Sequence, residues 1–197
     1  MMPDNSTSRV ILARHGRTAL NAAGQLRGHL DPPLDDVGQQ EVTALGLALA
    51  VETPCLIVSS PLLRARQTAD AIARATGTPT AVDQRLIDRD YGEWAGHTLE
   101  EIVQAAGSLE AARGVEPARS VSARAREVLD EAADLAGEQP VILVAHDAVN
   151  TLLLTLLAPR LREDHSFAQH TACWNVLERS GDTWSVLVVN RTASAQP

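Results

Sequence analysis

The chain has 197 residues and a formal net charge of −8, and 45% of its residues are hydrophobic but only 3% are aromatic. This length is typical of one domain that buries about 70% of its unfolded surface, here around a core of Leu, Val, Ala and Ile. The negative charge, with neither basic runs nor aromatic platforms, argues against nucleic acid and anionic membranes as partners.

The two ends of the chain are small and polar. We expect residues 1–8 and 192–197 to be disordered and to flank a single domain over residues 9–191. The polar N-terminus predicts no secretory signal and no apolar run is long enough to span a bilayer, so a cytoplasmic protein is expected. Cys55 and Cys173 each lie alone in apolar runs and are expected to be buried hydrophobic residues.

Apolar runs of strand length alternate with stretches of helical periodicity. The predicted strands are 10–13, 56–58, 80–82, 141–145, 173–178 and 184–189. The predicted helices run from Asp35 or Asp36 to about Val51, from Pro61 to Gly77, and over 99–106, 121–135 and 148–157. A tight turn joins the last two strands into a predicted hairpin at a sheet edge. The alternation predicts an α/β fold, a three-layer α/β/α sandwich with a mainly parallel sheet.

The first strand stops abruptly at Arg14, His15 and Gly16. In open α/β sheets ligands bind at the carboxyl ends of the strands, and a glycine there lets the backbone approach a ligand closely. The positive charge of Arg14 disfavours the imidazolium form of His15. His15 is therefore expected to be neutral and nucleophilic near pH 7, which suits attack on a phosphoryl group.

Two further strands lead into candidate site residues. His146 ends strand 141–145, and Arg64 lies near the start of the helix that follows strand 56–58. Taken singly, each is more often a structural or solvated residue. Because parallel strand ends converge on one rim of the sheet, we expect them to share a pocket with Arg14 and His15, closed by the irregular loop 86–96.

These segments resemble the histidine phosphatase superfamily, the phosphoglycerate mutase-like enzymes with an Arg-His-Gly motif. The similar segments are 12–18 with Asn21 and Gly28, 59–69, 86–96, 144–146 and 184–190, with a weaker similarity at 114–116, Val121 and Arg124. They occur in order from about residue 10 to residue 190. The resemblance implies a phosphoglycerate mutase-like fold.

The resemblance also implies a role for each matching residue. His15 would be the nucleophile that becomes phosphorylated, while Arg14, Arg64 and His146 would bind the phosphoryl oxygens and Asn21 would help to hold the phosphate. A carboxyl group of segment 86–96 would protonate the leaving oxygen and later activate water. The fixed cations would replace a metal ion, so neither a metal nor a cofactor is expected.

Two positions depart from the usual family pattern. Asp88 stands where the family most often has glutamate; it is our candidate general acid, with Asp90 and Glu93 as alternatives. Asp147 follows the second histidine, where many relatives have glycine. We expect it to contact the leaving group of the substrate or to brace an arginine.

The other histidines have no metal-ligand spacing and are expected at the surface or behind the site. They are His29, His97, His165 and His170, and His29 is the one expected nearest the pocket rim.

The function implied is a metal-independent phosphomonoester hydrolase that acts through a phosphohistidine on a small phosphorylated metabolite and releases inorganic phosphate. One alternative is a cofactor-dependent phosphoglycerate mutase, which the short chain disfavours. Another is a phosphate-ester-binding pseudoenzyme, which the presence of His15 and the arginines disfavours. The substrate and the oligomeric state stay open, with a homodimer through the terminal hairpin as one arrangement.

Overall fold

The central sheet has six strands, in the order β3-β2-β4-β1-β5-β6. The computed structural model describes residues 7–162 and 167–193 of the chain. The strands are β1 (Thr7–Arg14), β2 (Leu56–Ser59), β3 (Thr80–Val82), β4 (Val141–Ala145), β5 (Trp174–Ser180) and β6 (Thr183–Arg191). The first four are parallel neighbours, whereas β5 and β6 run antiparallel at one edge. The predicted mainly parallel sheet and its terminal hairpin are both confirmed.

Six α-helices accompany the sheet over the described residues. They are α1 (Ala19–Ala22), α2 (Asp36–Leu49), α3 (Leu63–Thr76), α4 (Leu99–Ala106), α5 (Ala118–Leu135) and α6 (Asp147–Leu157). Helices α2 and α3 pack on one face of the sheet and α5 and α6 pack on the other. The predicted three-layer α/β/α sandwich is therefore confirmed.

The side chains of β1 and β4 alternate between the two apolar layers. Val10 and Leu12 point toward α5 and α6, whereas Ile11 and Ala13 point toward α2 and α3. All five residues of β4 are fully buried, as its unbroken apolar run predicts for a central parallel strand. This burial on both faces fixes the two central strands, at whose ends His15 and His146 lie.

The structure differs from the sequence prediction at several element ends. Strand β1 begins at Thr7, so Thr7 and Ser8 belong to the sheet rather than to a disordered terminus, because they pair with the long antiparallel β5. Helix α3 begins at Leu63, two residues after Pro61. Residues 1–6 and 194–197, also predicted to be disordered, lie outside the described residues, and Thr192 and Ala193 are described without regular structure.

Two smaller outcomes concern the membrane and the cysteines. Within the part of the chain that the structure describes, no helix has the length and apolar character needed to cross a bilayer. Cys173 is buried as expected, but Cys55 is partly exposed at the start of β2, and both thiols are free.

Candidate active site

The candidate site lies at the carboxyl ends of β1, β4 and β2. The backbone N–H of His15 donates to the Ala145 carbonyl at 3.1 Å, and that of Ser60 donates to the Val144 carbonyl at 2.9 Å. These bonds continue the parallel ladder one residue past each strand. The residues that follow three neighbouring strands are thus held at one rim, where α/β sheets bind ligands.

Two glycines let the loop after His15 pack directly on helix α2. A Cβ atom on Gly38 would lie 2.1 Å from the Arg17 carbonyl oxygen, and one on Gly16 would lie 2.6 Å from Val42. The N-terminus of α2 is fixed by Asp35, whose side chain accepts from the Gly38 N–H at 2.8 Å, as the predicted cap requires. The backbone of the loop that follows His15 is therefore in direct contact with the backbone of α2.

The hydrogen bonds of His15 define its tautomer. Its Nδ1 lies 2.7 Å from the Gly16 carbonyl oxygen, which accepts only, so Nδ1 carries the hydrogen. Its Nε2 therefore carries the electron pair of the neutral ring, and that pair accepts a hydrogen bond from Nε of Arg64 at 3.3 Å. Burial, together with the charges of Arg64, Arg14 and Arg27, holds the pKa of His15 well below its usual range. His15 is therefore neutral, as the sequence predicted.

Arg64 is fully buried, and its guanidinium group donates hydrogen bonds to four partners. Its Nη1 donates to the Leu30 carbonyl at 2.7 Å, and its Nη2 donates to the Gly28 carbonyl and to Oδ2 of Asp88, both at 2.9 Å. Together with the bond to His15, these contacts fix the guanidinium plane against the nucleophile. Gly28 has a positive φ of 49°, so its carbonyl reaches Arg64 from a backbone conformation that favours glycine.

His146 lies beside His15, with 5.1 Å between the ring centroids. Its Nε2 is 2.7 Å from the hydroxyl oxygen of Ser60, and its Nδ1 is 3.8 Å from Oδ2 of Asp88. Burial and the charge of Arg64 also hold the pKa of His146 well below its usual range. If the Ser60 hydroxyl donates to Nε2, then Nδ1 bears the hydrogen of the neutral ring and faces the site as a donor.

Asp88 is the buried carboxyl group of the site. It is 1% exposed, and its Oδ1 accepts from the Arg89 N–H at 2.9 Å while its Oδ2 accepts from Arg64. Burial raises its pKa above the usual range, against the opposing charges of Arg64 and Arg27. A carboxyl group with a raised pKa retains its proton to higher pH, as a general acid must.

The alternative carboxyl groups, Asp90 and Glu93, lie elsewhere. The Asp90 side chain is about half exposed, accepts from the Gly92 N–H at 2.8 Å and lies 3.9 Å from His29. Glu93 is exposed at the surface. Neither of them contacts His15, His146 or Arg64 among the described residues.

Arg14 and Asp147 face each other at the mouth of the site. The Arg14 side chain is almost fully buried; its Nη1 donates to the Gln169 carbonyl and lies 3.2 Å from Oδ2 of Asp147, which is half exposed. The Nε atom of Arg14 is buried and has no hydrogen-bond partner among the described residues. Asp147 therefore braces an arginine, one of the two roles expected for it.

Asn21 is not brought into contact with the other predicted residues. Its Oδ1 accepts from the N–H and the hydroxyl of Thr18, at 3.1 and 2.8 Å, and so caps helix α1. In the described part of the chain no hydrogen bond links Asn21 to Arg14, His15, Arg64 or His146. Within residues 7–162 and 167–193, the amide nitrogen of Asn21 donates to no other group.

Sequence reasoning missed Arg27. Its side chain is more than nine-tenths buried, and its charge lowers the pKa values of both His15 and His146. Its Nη1 donates to the Gln25 carbonyl at 2.9 Å, but its buried Nε has no partner among the described residues. The one available signal was its position directly before Gly28, inside the first motif.

Arg124 holds the start of loop 86–96 in place through hydrogen bonds to backbone carbonyl groups. The Arg124 guanidinium donates to the carbonyls of Arg85 and Ile87 at 2.6 Å and to that of Asp88 at 3.2 Å, and it pairs with Glu116 at 3.0 Å. Arg124, part of the weaker similarity to the family, thus supports the segment that carries Asp88.

Of the remaining histidines, His29, His97 and His170 lie where the sequence predicted. His29 lies at the rim, with Nε2 3.1 Å from the Asp88 carbonyl. His97 and His170 are exposed, and His165 lies outside the described residues. Within residues 7–162 and 167–193, no three His, Cys, Asp or Glu side chains form a group that would hold a metal ion.

Taken together, the site contains a neutral imidazole with its electron pair on Nε2, three buried guanidinium groups, a second neutral imidazole and a buried carboxyl group. Such an arrangement has the groups needed to bind a phosphoryl group and to attack it with a nitrogen nucleophile. The sequence matches the histidine phosphatase superfamily (branch 1) over residues 10–192, and the chain belongs to that superfamily. It is an enzyme, a histidine phosphatase, as its resemblance to the family predicted.

Individual relatives share both sequence and fold with the chain. It is 33% identical to glucosyl-3-phosphoglycerate phosphatase from Mycolicibacterium vanbaalenii, over 76% of this chain and 73% of that protein. It is 29% identical to phosphoserine phosphatase 1 from Hydrogenobacter thermophilus, over 93% of this chain and 92% of that one. A mycobacterial glucosyl-3-phosphoglycerate phosphatase solved in complex with VO3 superposes with a TM-score of 0.84 at 29% identity, covering 94% of this chain and 100% of its own.

Proposed function

We propose that the enzyme hydrolyses phosphomonoesters of small metabolites without a metal ion, through a phosphohistidine at His15. The observation that carries the proposal is the tautomer of His15. With its hydrogen held on Nδ1 by the Gly16 carbonyl, its Nε2 presents an electron pair among buried guanidinium groups. A neutral imidazole surrounded by cations is suited to attack an anionic phosphoryl group.

In the first step, the electron pair on Nε2 of His15 attacks phosphorus and the bond from phosphorus to the ester oxygen breaks. Asp88 gives its proton to that oxygen, and an alcohol leaves. In the second step, the Asp88 carboxylate takes a proton from water, and the water oxygen attacks the phosphohistidine. The P–N bond breaks, its electron pair returns to Nε2, and inorganic phosphate is released.

Charge stabilisation comes from side chains whose donors are buried and uncommitted. Nε of Arg14, Nε of Arg27 and Nδ1 of His146 are buried without a partner among the described residues, and phosphoryl oxygens would accept from them. Phosphoryl transfer depends mainly on positioning and on such preorganised positive charge. The guanidinium groups thus supply the charge that Mg²⁺ supplies in other phosphoryl-transfer enzymes.

Asp147 and Asn21 complete the proposed substrate contacts. Asp147 braces Arg14 and is exposed enough at the mouth to meet a hydroxyl or amine of the leaving group. The amide of Asn21 would donate to a phosphoryl oxygen. Because two relatives are named as phosphatases of a phosphoglycerate derivative and of phosphoserine, phosphate esters of three-carbon acids are the first substrates to screen.

The test is hydrolysis of 4-nitrophenyl phosphate in EDTA between pH 5 and 7.5, with the wild type and the His15→Ala variant. Activity should survive EDTA and fall by at least about 1000-fold in the variant. Replacement of the exposed His97 by alanine is the matched control and should leave the rate unchanged. Loss of activity in EDTA, or activity retained without His15, would refute the mechanism, and a wild type inert toward all esters would favour the mutase or pseudoenzyme alternative.

A further inference from the structure

The orientation of Arg14 depends on a carbonyl group in an irregular segment. Among the described residues, the Arg14 guanidinium contacts Asp147, which is half exposed, and the backbone oxygen of Gln169, which is buried. An exposed ion pair is a weak constraint in water, so the buried carbonyl is the firmer contact. Residues 167–170 have no regular secondary structure, and the peptide group that carries this carbonyl is held at its other end, where the His170 N–H donates to Oδ1 of the partly exposed Asn190 at 2.7 Å.

The side chain of Gln169 supplies a second constraint, which is fully in the interior. It forms a reciprocal pair with Asn175 of β5: its Nε2 donates to Oδ1 of Asn175 at 2.9 Å, and Nδ2 of Asn175 donates to its Oε1 at 2.8 Å. Gln169 is 4% exposed and Asn175 is fully buried. A paired carboxamide in the interior is strongly oriented, because rotating either group leaves buried donors and acceptors unpaired.

Asn175 is in turn tied to the sheet on both sides. It lies opposite Leu12 in the β1–β5 register, its Nδ2 also donates to the Leu12 carbonyl at 2.9 Å, and its Oδ1 also accepts from the Asn190 N–H at 2.8 Å. Both amide hydrogens and both acceptor positions of Asn175 are therefore used. Asparagine is depleted in strands, so a fully satisfied one in the buried first half of β5 indicates a specific task.

We infer that Gln169 and Asn175 are positioning residues for Arg14, so that the sheet sets the direction of the guanidinium through this carboxamide pair. The chain of contacts runs from Leu12 through Asn175 and Gln169 back to Arg14, two residues after Leu12. The inference rests on the proposed function, in which Arg14 binds the phosphoryl group. A displaced guanidinium would weaken phosphate binding while leaving His15 and Asp88 in place.

A double-mutant cycle with Gln169→Met and Arg14→Ala tests this role. Methionine keeps the volume of glutamine and cannot pair with Asn175, which retains its bonds to Leu12 and Asn190. We expect Gln169→Met alone to lower kcat/KM for 4-nitrophenyl phosphate and the affinity for inorganic phosphate by about 10-fold to 100-fold. In the Arg14→Ala background the same substitution should change both by less than about 2-fold, because no guanidinium is left to position.

The matched control is Thr78→Val, which removes a buried hydrogen bond of 2.9 Å to the Pro54 carbonyl far from the site. It should lower Tm without changing kcat/KM or phosphate affinity. Equal losses from Gln169→Met in both backgrounds, or no loss in the wild-type background, would overturn the positioning role. If Arg14→Ala itself left both measurements unchanged, the proposed phosphate-binding role of Arg14 would fail and the positioning role with it.

Discussion

Asp88 differs from the other acidic residues of its loop in burial and in partners. It is buried between Arg64 and the Arg89 N–H, whereas Glu93 is exposed. Because Asp88 lies near His146 and burial raises its pKa, Asp88→Asn should lower kcat by about 100-fold to 10,000-fold. Glu93→Gln should leave kcat within about 2-fold of the wild type.

Steady-state kinetics with an ester of an aliphatic alcohol measures this difference best, because a poor leaving group depends most on protonation. The opposite ranking of the two variants would exclude Asp88 as the general acid. The sequence ranked Asp88 first by motif position, but the burial of the three carboxyl groups depends on the packing of Arg64 and Arg124 beneath the loop. That packing joins residues far apart in the chain, which local patterns do not reveal.

Arg27 is a buried residue of the site that the sequence motifs did not predict. Its buried Nε is uncommitted among the described residues, and its charge acts on both histidines. Arg27→Met should therefore weaken inorganic phosphate binding by about 10-fold or more, since it removes a charge-assisted hydrogen bond worth roughly 1.5–3 kcal/mol. Isothermal titration with phosphate measures the effect.

Replacement of the exposed Arg66 by methionine is the control for loss of a positive charge at a distance, and it should leave the affinity unchanged. Equal affinities of the wild type and the Arg27→Met variant would place Arg27 outside the phosphate pocket.

At the level of elements, helix α2 packs against the His15 loop with no room for a side chain at Gly38. Alanine at an interior helical position usually stabilises a helix relative to glycine, by about 1 kcal/mol. At Gly38 the added Cβ would instead lie 2.1 Å from the Arg17 carbonyl oxygen. Gly38→Ala should therefore destabilise the fold by about 1–3 kcal/mol and lower kcat/KM, because α2 or the loop must move.

Urea denaturation of this variant is best compared with that of Gly137→Ala, whose Cβ would meet no atom within 4 Å. The control should lie within about 0.5 kcal/mol of the wild type. If Gly38→Ala were neutral or stabilising, the loop would not be fixed by α2.

The bounds of most helices and strands follow from the periodicity of the sequence. Where the observed bounds differ from the predicted ones, the difference has a physical cause. Helix α4 and strands β3 and β4 match their predicted bounds, because capping residues or flanking turns delimit them. Helix α5 begins at Ala118 rather than Val121, since Pro117 provides a start that apolar spacing does not show. Strand β1 extends to Thr7 because of its pairing with β5, which is a tertiary effect.

At the level of the whole molecule, two buried neutral histidines link stability to pH. The pKa values of His15 and His146 are both lowered on folding, so below about pH 6.5 the unfolded chain binds protons that the folded protein does not. The free energy of unfolding should therefore fall on acidification from pH 7 to pH 5, by up to about 1.4 kcal/mol per pH unit for each histidine. The raised pKa of Asp88 acts in the opposite sense, because the folded state then holds the additional proton.

The comparison that isolates the histidines is between the wild type and a His15→Gln/His146→Gln variant, with urea denaturation at several pH values. The wild type should lose stability more steeply on acidification than the variant, whatever their difference at pH 7. Parallel slopes would show that the two imidazoles titrate normally in the folded state.

The central claim is that a phosphoryl group passes through Nε2 of His15. Its most direct test is to react the Asp88→Asn variant with 4-nitrophenyl phosphate, whose leaving group needs little protonation, and to quench with alkali within the first turnovers. Phosphohistidine is stable to alkali and labile to acid, so peptide mapping then locates the phosphate. The account predicts an acid-labile phosphate on His15, with the label absent from the His15→Ala variant. Phosphate on another side chain, or nitrophenol released in the first turnover with no phosphate on His15, would contradict it.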